Sequence, residues 1–304
     1  MERMNTMGPV LITGASGMLG SALTSLCSTL GVSCEAYPES ELDITDSTAV
    51  ASVVARFAAR TRPQAGTGDG TAGGTVINAA AYTDVERAED DEERAFAVNC
   101  QGARNVAEAA AEHRLALVHV STDFVFDGGK SGPYTEEDEP HPLNAYGRSK
   151  LAGDRSVTEA HAGALVVRTA WVFGPGGANF PAKILTLAQV REQIQVVDDE
   201  FGSPTASFDL ARGILELCGL RATGLFHLTG SGSCSRYELA REIVSAAGLD
   251  TQVLPVGRGF FPAKAVRPAN SVLGMEKAHR LGVVMPPWQP SLRSYVQQHL
   301  SEAA

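Results

Sequence analysis

The sequence is short of the features that mark secreted, zinc-binding and membrane-spanning proteins. Its 304 residues include only five cysteines (Cys27, Cys34, Cys100, Cys218 and Cys234), scattered without a Cys-x-x-Cys pair. Such spacing argues against a disulfide framework or a zinc site and for reduced, buried thiols. There is no run of about 18 apolar residues, and Met1 to Pro9 carries no apolar segment of the signal-peptide kind. A cytoplasmic protein without membrane contact is therefore expected. Positive charge is also scarce, with 25 Lys and Arg against 35 Asp and Glu, a net charge of −10 and a pI near 5.2. A nucleic-acid partner would call for a basic stripe, so none is expected. An anionic small ligand stays open, because a few local cations and helix N-termini can override the global field.

What the chain does have is an ordinary globular composition, 44% hydrophobic and 20% charged. Its length suffices for one large α/β domain or two smaller ones. The first half alternates apolar, strand-like runs with amphipathic stretches, the pattern of a parallel sheet flanked by helices. Val10-Leu11-Ile12 reads as a first strand, and Leu19, Leu23, Leu26 and Leu30 form one stripe of the helix after it. Val32 to Tyr37 reads as the second strand. Asp46 is placed to cap a helix turning Val50, Val53, Val54 and Phe57 inward. Pro63 to Gly74 is glycine-rich and reads as a flexible surface excursion, after which strand-like Thr75 to Asn78 resumes the alternation. A long helix is expected over about Glu89–Glu112, then a strand at Leu115–Val120, a helix around Tyr146 and a strand at Leu165–Phe173. The second half is patchier, with strands at Ile194–Val197 and Leu225–Leu228 and a helix at Ser207–Leu217. Ser235-Arg-Tyr-Glu238 has capping-box spacing for one more helix, to about Ala247. A smaller α/β lobe over the carboxyl edge of the sheet follows from this pattern.

Chemistry gathers at the expected strand ends. Thr13-Gly-Ala-Ser-Gly-Met-Leu-Gly20 joins the first strand to the first helix, and its glycines at 14, 17 and 20 let backbone approach a pyrophosphate that a helix N-terminus would stabilise. The spacing departs from the commoner G-x-G-x-x-G, and a glycine-rich βα turn with no ligand would look alike. The small side chains of Asn78-Ala-Ala-Ala-Tyr-Thr83, after the third strand, would let a ribose or a flat ring lie close. Ser121-Thr122-Asp123 follows the fourth strand, where open parallel sheets bind ligands; Thr122 could donate to a carbonyl and Asp123 hold a hydroxyl. Tyr146 and Lys150 stand four residues apart, on one face of a helix. An ammonium beside a phenol favours phenolate, which would lower the phenol's pKa from roughly 10 and make it a proton donor near neutrality.

Taken jointly, these segments resemble the extended short-chain dehydrogenase/reductases, and within them the dTDP-4-dehydrorhamnose reductase family. The likeness rests on the glycine loop, Asn78–Thr83, Ser121-Thr-Asp-Phe-Val-Phe-Asp-Gly128, Pro142-Leu-Asn-Ala-Tyr-Gly-Arg-Ser-Lys150 and Arg168-Thr-Ala-Trp-Val-Phe173. Val197-Asp-Asp-Glu-Phe-Gly-Ser-Pro-Thr205 and Ala265-Val-Arg-Pro-Ala-Asn-Ser271 carry it into the second half, so that it spans about residues 10 to 295. It implies a Rossmann-like, doubly wound parallel sheet over about residues 8–173, to which elements near 205–228 return. Residues 174–204 and 229–304 would form a substrate-binding lobe.

The implied activity is NADPH- or NADH-dependent reduction of the C4 ketone of a nucleotide-linked 4-keto-6-deoxyhexose. Thr122, Tyr146 and Lys150 would be catalytic, the tyrosine giving the proton. Gly14, Ser16, Gly17, Met18, Leu19 and Gly20 would hold the cofactor's pyrophosphate end, with Asp43 and Ile44 nearby. Ala80, Ala81, Tyr82 and Val120 would contact its remainder, with Tyr146 and Lys150 at the nicotinamide ribose. Thr122, Asp123 and Trp171 would meet the sugar, and Arg267 with Asn270 the nucleotide diphosphate.

Two departures stand out. Glu39, near the end of the second strand, would repel a 2′-phosphate and mildly favour NADH, leaving both cofactors open. Some relatives form a magnesium-linked dimer through an acidic residue early in the first helix; Ala22 stands at about that place, which puts such a metal in doubt, so no metal is expected and a homodimer stays possible. Rival readings are a reductase of another 4-keto sugar in antibiotic glycosylation, and a non-catalytic binding partner resembling the methionine adenosyltransferase β subunit.

Overall fold

The structure, a computed structural model, describes residues 7–61 and 73–303. Most of the glycine-rich stretch from Pro63 lies outside the described residues. The chain opens on β1 (Val10–Thr13), whose four side chains are all buried, as a central parallel strand with both faces covered requires. Helix α1 (Met18–Leu30) buries Leu19, Leu23, Leu26 and Cys27 and ends on Gly31 at φ 68°, which lets its N–H bond back to Cys27 O and Ser28 O. After β2 (Cys34–Tyr37), Asp46 Oδ1 accepts from Thr48 N and Ala49 N, both at 3.0 Å, and starts α2 (Ser47–Thr61). Val50, Val53, Val54 and Phe57 then point into the core. Burying the Phe57 side chain alone contributes about 2–3 kcal/mol.

Beyond β3 (Thr75–Asn78), the long helix expected from Glu89 is broken into pieces. A 3-10 turn at Arg87–Glu89 precedes α3 (Glu92–Phe96), a π-helical stretch at Ala97–Gly102 and α4 (Ala103–Glu112). The wider π turn carries Asn99, whose buried amide accepts from Tyr82 N at 2.9 Å and donates to Tyr82 O and Ser149 Oγ. Periodicity of apolar residues cannot reveal such a turn, because its cause lies in the tertiary partners of one asparagine.

Next come β4 (Ala116–Thr122), α5 (Ala145–Ala160) and β5 (Leu165–Thr169). The strand expected to run on to Phe173 stops at Thr169. Trp171 takes φ 47°, a left-handed conformation costing roughly 1–3 kcal/mol for a bulky residue, and turns the chain out of the sheet. The following β6 (Val172–Phe173) pairs elsewhere. Helix α6 (Phe180–Ala188), β7 (Gln193–Val197), β8 (Phe201–Gly202) and β9 (Thr205–Ala206) follow, with β6 beside β9. Helix α7 (Ser207–Gly219) and β10 (Gly224–His227) rejoin the main sheet. The chain finishes with β11 (Cys234–Ser235), α8 (Arg236–Ala246), β12 (Gln252–Val256), α9 (Glu276–Arg280) and α10 (Trp288–Ala303). The capping box read at Ser235 and Glu238 is formed in both directions.

All strands of the main sheet are parallel, in the order β10-β5-β4-β3-β1-β2. One face packs α1 and α7, with Met275, Ala278, Val283 and Met285 joining Leu210, Ile214 and Leu217 there. The other packs α2 and α4. A third core unites α6, α8 and α10 through Leu185, Ile243, Leu292 and Val296. No helix among the described residues is long and apolar enough to cross a membrane. The loops leaving β1, β3, β4 and β5 open at one edge, where an open parallel sheet binds ligands.

Helix α5 lies so near the π turn that a Cβ on Gly153 would meet Asn99 O at 2.1 Å. Gly153→Ala should therefore lower the unfolding free energy by about 1–3 kcal/mol, read from the urea midpoint, because that carbonyl belongs to a pinned backbone. Helix propensity alone favours alanine by about 1 kcal/mol, so a more stable variant would show that the close approach carries no constraint.

Candidate active site

The cleft along this edge has a volume of about 980 Å³, near the upper end of ordinary ligand sites. Gly14 and Gly20 shape its floor at one end. A Cβ on Gly14 would sit 2.6 Å from Ala80, and one on Gly20 would sit 2.2 Å from Gly14 O. Gly17 has a different part: its hypothetical Cβ meets only Gly14 O, at 3.4 Å, leaving the loop open toward the cleft. Helix α1 begins next to it with no side-chain cap and no acid in its first turn. Its first N–H groups are thus free to meet an anion at the positive end of the helix.

Behind the loop runs a buried polar line. Thr13 Oγ1 donates to Asn78 Oδ1 at 2.7 Å, and Asn78 Nδ2 donates to His119 Nδ1 at 3.2 Å. His119 accepts on that nitrogen, and burial holds its pKa well below the usual value, so it is neutral with its proton on Nε2. Asp43 caps its own turn, accepting from Thr45 N at 2.9 Å and Thr45 Oγ1 at 2.7 Å, which holds its carboxyl below the usual range. Glu39 is met by Arg94, whose Nη2 is 3.5 Å from Glu39 Oε1 and 3.7 Å from Asp43 Oδ2. These groups are largely exposed, so the pairs are weak.

Midway along the cleft, α5 presents Tyr146 and Lys150. Asn144 caps the helix by accepting from Gly147 N at 2.8 Å, and Glu89 Oε1 accepts from Ala145 N at 2.7 Å. Asn99 steadies the same turn through Ser149, whose hydroxyl donates to Tyr146 O. Phe124 meets the Tyr146 ring edge-on, with centroids 5.7 Å apart. Lys150 is buried and donates from Nζ to Val120 O at 2.7 Å. One turn on, Asp154 favours its charge and is itself bonded by Arg168 Nε at 3.1 Å.

The expected lowering of the phenol's pKa by Lys150 is not what this geometry gives. Burial pushes Tyr146 up to about 12, with a hydrogen bond to the Thr122 side chain opposing it, and pushes Lys150 down to about 8. The enclosed cleft penalises both charges more than the spacing of the pair helps them. A phenol at about 12 is fully protonated at neutral pH, which is the state a proton donor needs.

Thr122 and Asp123 stand at the end of β4, Thr122 Oγ1 donating to Asp123 Oδ1 at 3.1 Å. The other oxygen of Asp123 is buried without a hydrogen-bond partner. Trp171 and Arg267 line the far end, the arginine ion-paired to Glu86 at 2.6 Å. The Trp171 ring is already engaged: the Arg236 guanidinium lies 3.4 Å from its centroid, and a Cβ on Gly202 would strike it at 2.3 Å.

Of the site residues expected from sequence, Gly14, Ser16–Gly20, Asp43, Ile44, Ala80–Tyr82, Val120, Thr122, Asp123, Tyr146, Lys150, Trp171 and Arg267 all line this one cleft. Asn270 does not. Its amide donates to Lys130 O and Gly132 O, which ties two loops together, and accepts from Val272 N within its own loop. Asn99, Arg94 and Arg236 were missed. Asn99 left a trace as a polar residue in an otherwise apolar helix stripe; the arginines left none, since each is brought to the cleft only by tertiary folding.

Burial pushes the Asp123 carboxyl up to about 6, against the nearby Ser271 and Thr122 hydroxyls and the charge of Arg236. A folded-state pKa above the unfolded value of about 3.9 adds stability that is present below about pH 4 and lost as pH rises through about 6. Asp123→Asn removes the charge, so urea unfolding should find the variant more stable than the parent at pH 8 by on the order of 1–3 kcal/mol. The gap should shrink as pH falls below 6. A gap constant from pH 4.5 to 8 would rule out an elevated Asp123.

Comparison with known proteins puts this geometry in a family. The model of the RmlD substrate binding domain matches residues 7–301. The dTDP-4-dehydrorhamnose reductase of Mycolicibacterium smegmatis is 39% identical over 292 residues, covering 94% of this chain and 84% of that one. The dTDP-4-keto-6-deoxy-D-glucose reductase of Streptomyces niveus is 39% identical over 275 residues, covering 90% and 91%. The fold also superposes on a crystal structure of dTDP-4-dehydrorhamnose reductase from Bacillus anthracis in complex with NADP, with TM-score 0.88, 36% identity and coverage of 96% and 99%. Matched in sequence and in fold over nearly its whole length, the chain belongs to the RmlD family of dTDP-4-dehydrorhamnose reductases.

Proposed function

We propose that the protein uses NADPH or NADH to reduce the C4 ketone of a dTDP-linked 4-keto-6-deoxyhexose, with dTDP-4-dehydro-L-rhamnose giving dTDP-L-rhamnose. The observation that carries this reading is one continuous cleft. It runs from an uncapped, glycine-lined helix N-terminus, past a protonated phenol, to a pair of guanidinium groups. The glycine loop suits a dinucleotide: Gly17 leaves room for a pyrophosphate, and the N–H groups of α1 supply its counter-dipole. When bound there, the dinucleotide supplies the hydride.

The protein's own residues do the rest. Thr122 orients the substrate carbonyl by hydrogen bonding, and Asp123 takes a sugar hydroxyl on its free oxygen. Tyr146 gives its proton to the carbonyl oxygen as negative charge develops there. Lys150, charged for most molecules at neutral pH, stabilises the phenolate left behind and holds the neighbouring ribose hydroxyls. Walls built of Ala79–Ala81, Phe124 and Trp171 keep bulk water from the reacting carbon. The proposed location is the cytoplasm, where reduced nicotinamide dinucleotides are at hand. A second reading, reduction of a different dTDP-4-keto-6-deoxyhexose, draws support from the Streptomyces niveus relative, named for dTDP-4-keto-6-deoxy-D-glucose and equal in identity to the mycobacterial one.

Consumption of NADPH and of NADH, followed separately with each 4-keto sugar nucleotide, tests the proposal, and NMR of the product sugar separates the two readings. Tyr146→Phe should cut kcat by roughly 10²–10⁴ while leaving the Kd for NADPH within twofold. Near-normal turnover in that variant, or no turnover by the parent with any such sugar, would sink it. At the other end, Arg94 partly offsets the repulsion of Glu39 toward a 2′-phosphate. Glu39→Gln should thus tighten NADPH about threefold in a fluorescence titration and move NADH less than twofold. Equal shifts for the two would separate Glu39 from cofactor choice.

A further inference from the structure

Arg236 has no part in the dinucleotide end or in proton transfer, yet the structure holds it with unusual care. It opens α8 directly after the Ser235 cap, and its backbone N–H donates to Glu200 O at 3.2 Å. Its guanidinium carbon lies 3.4 Å from the centroid of Trp171 and 4.9 Å from that of Phe180. A guanidinium stacked so closely on an indole uses its face for the ring and leaves its N–H groups pointing outward in the plane. Those groups border the cleft, and no carboxylate lies within ion-pair distance of them among the described residues. The nearby charges act at longer range: Asp123 and Glu200 attract it, and Arg267 repels it. Burial pushes its pKa down to about 10, so it stays charged at neutral pH.

Arg267 is already paired with Glu86, whereas Arg236 has no ion-pair partner among the described residues, so Arg236 is the cation here with charge left to offer an anionic ligand. Asp123, with one buried oxygen lacking a partner, faces the same space and calls for a hydroxyl donor. A ligand that offers a hydroxyl next to a doubly charged anion fills both needs, as a sugar attached to a diphosphate does.

We propose that Arg236 grips the diphosphate of the nucleotide sugar, its guanidinium held edge-on to the cleft by Trp171, with Arg267 as the second cation. This rests on the reductase reading for the identity of the sugar, though not for the diphosphate site itself. Trp171 is then a mount for the arginine, and the sugar passes along the edge of the stack. Because the side chain is immobilised by folding, little further order is lost when the anion binds.

The test uses the NADP⁺-loaded full chain and calorimetric titration with dTDP and with thymidine. Arg236→Met keeps an unbranched stem on Trp171 and removes the charge. It should weaken dTDP roughly ten- to a hundredfold, as loss of charge-assisted bonds to phosphate requires, and leave thymidine and NADPH within about twofold. KM for the 4-keto sugar nucleotide should rise by a similar factor, with kcat within about threefold, and Arg236→Lys should recover part of the loss. Equal weakening of dTDP and thymidine would overturn the proposal in favour of a merely structural mount. A fall in kcat with KM unchanged would overturn it too, placing Arg236 at the reacting carbon. Melting curves of both variants identify a loss caused by misfolding, in which case Arg236→Lys alone decides. A parent that binds dTDP through Arg236 yet turns over no 4-keto sugar would sink the reductase reading and leave this site standing.

Discussion

Lys150 keeps an ammonium group in the interior, with a hydrogen bond to Val120 O at 2.7 Å. Desolvating such a charge costs several kcal/mol, and much of the surrounding structure is arranged to meet that cost. Asp154, one turn along the same helix, supplies the opposite charge and is itself held by buried Arg168. His119 lies 3.8 Å from Asp154 yet stays neutral, chiefly because it is buried and secondarily because a second cation there would work against Lys150. The carbonyl that receives the ammonium belongs to β4, so the reach of Lys150 fixes how far α5 can stand from the sheet. Gly153, against Asn99 O, permits that distance.

The same constraint explains why the helix before β4 is not a plain α-helix. For Lys150 to sit at the right depth, the first turn of α5 must be pinned from outside the helix. Asn99 does this through Ser149, and its other contacts fasten the Tyr82 backbone of the loop after β3. One asparagine thereby sets the spacing between the β3 loop and Tyr146. An α-helical register through residues 97–102 would turn the Asn99 amide elsewhere, and the π turn is how the helix accommodates it.

This also marks where the sequence can and cannot be read. The strands at Val10–Thr13 and Thr75–Asn78 and the cap at Asp46 depend on local pattern and hydrogen bonding, and they are legible. So is the meeting of Gly14–Gly20, Thr122 and Tyr146, because parallel strands bring their carboxyl ends to one edge whatever their sequence separation. The break at Trp171 is not legible: its left-handed backbone is held by packing from Gly202 and Arg236, residues that follow it by 31 and 65 positions. The commitment of Asn270 to Lys130 O and Gly132 O is equally a matter of two distant loops. The direction of the Tyr146 shift is illegible for a related reason. An i, i+4 spacing states which group is near, whereas burial decides which term wins.

An acidic protein that handles anionic ligands has to place its cations sparingly, and the three arginines along the cleft divide the task. Arg94 lies exposed between Glu39 and Asp43, where solvent screening makes it a weak and adjustable partner. Arg267 is half covered and paired to Glu86, so an anion must compete for it. Arg236 is stacked on Trp171, with no carboxylate paired to it among the described residues, and so keeps the most to offer. Electrostatic strength per group grows as the surroundings become less polar. The ordering from Arg94 to Arg236 is therefore one of rising discrimination along the cleft. It leaves choice between two similar cofactors loose at the exposed end and makes recognition of the substrate's anion strict at the enclosed one. That division follows from what each guanidinium is paired with and stacked on, since all three residues carry the same charge.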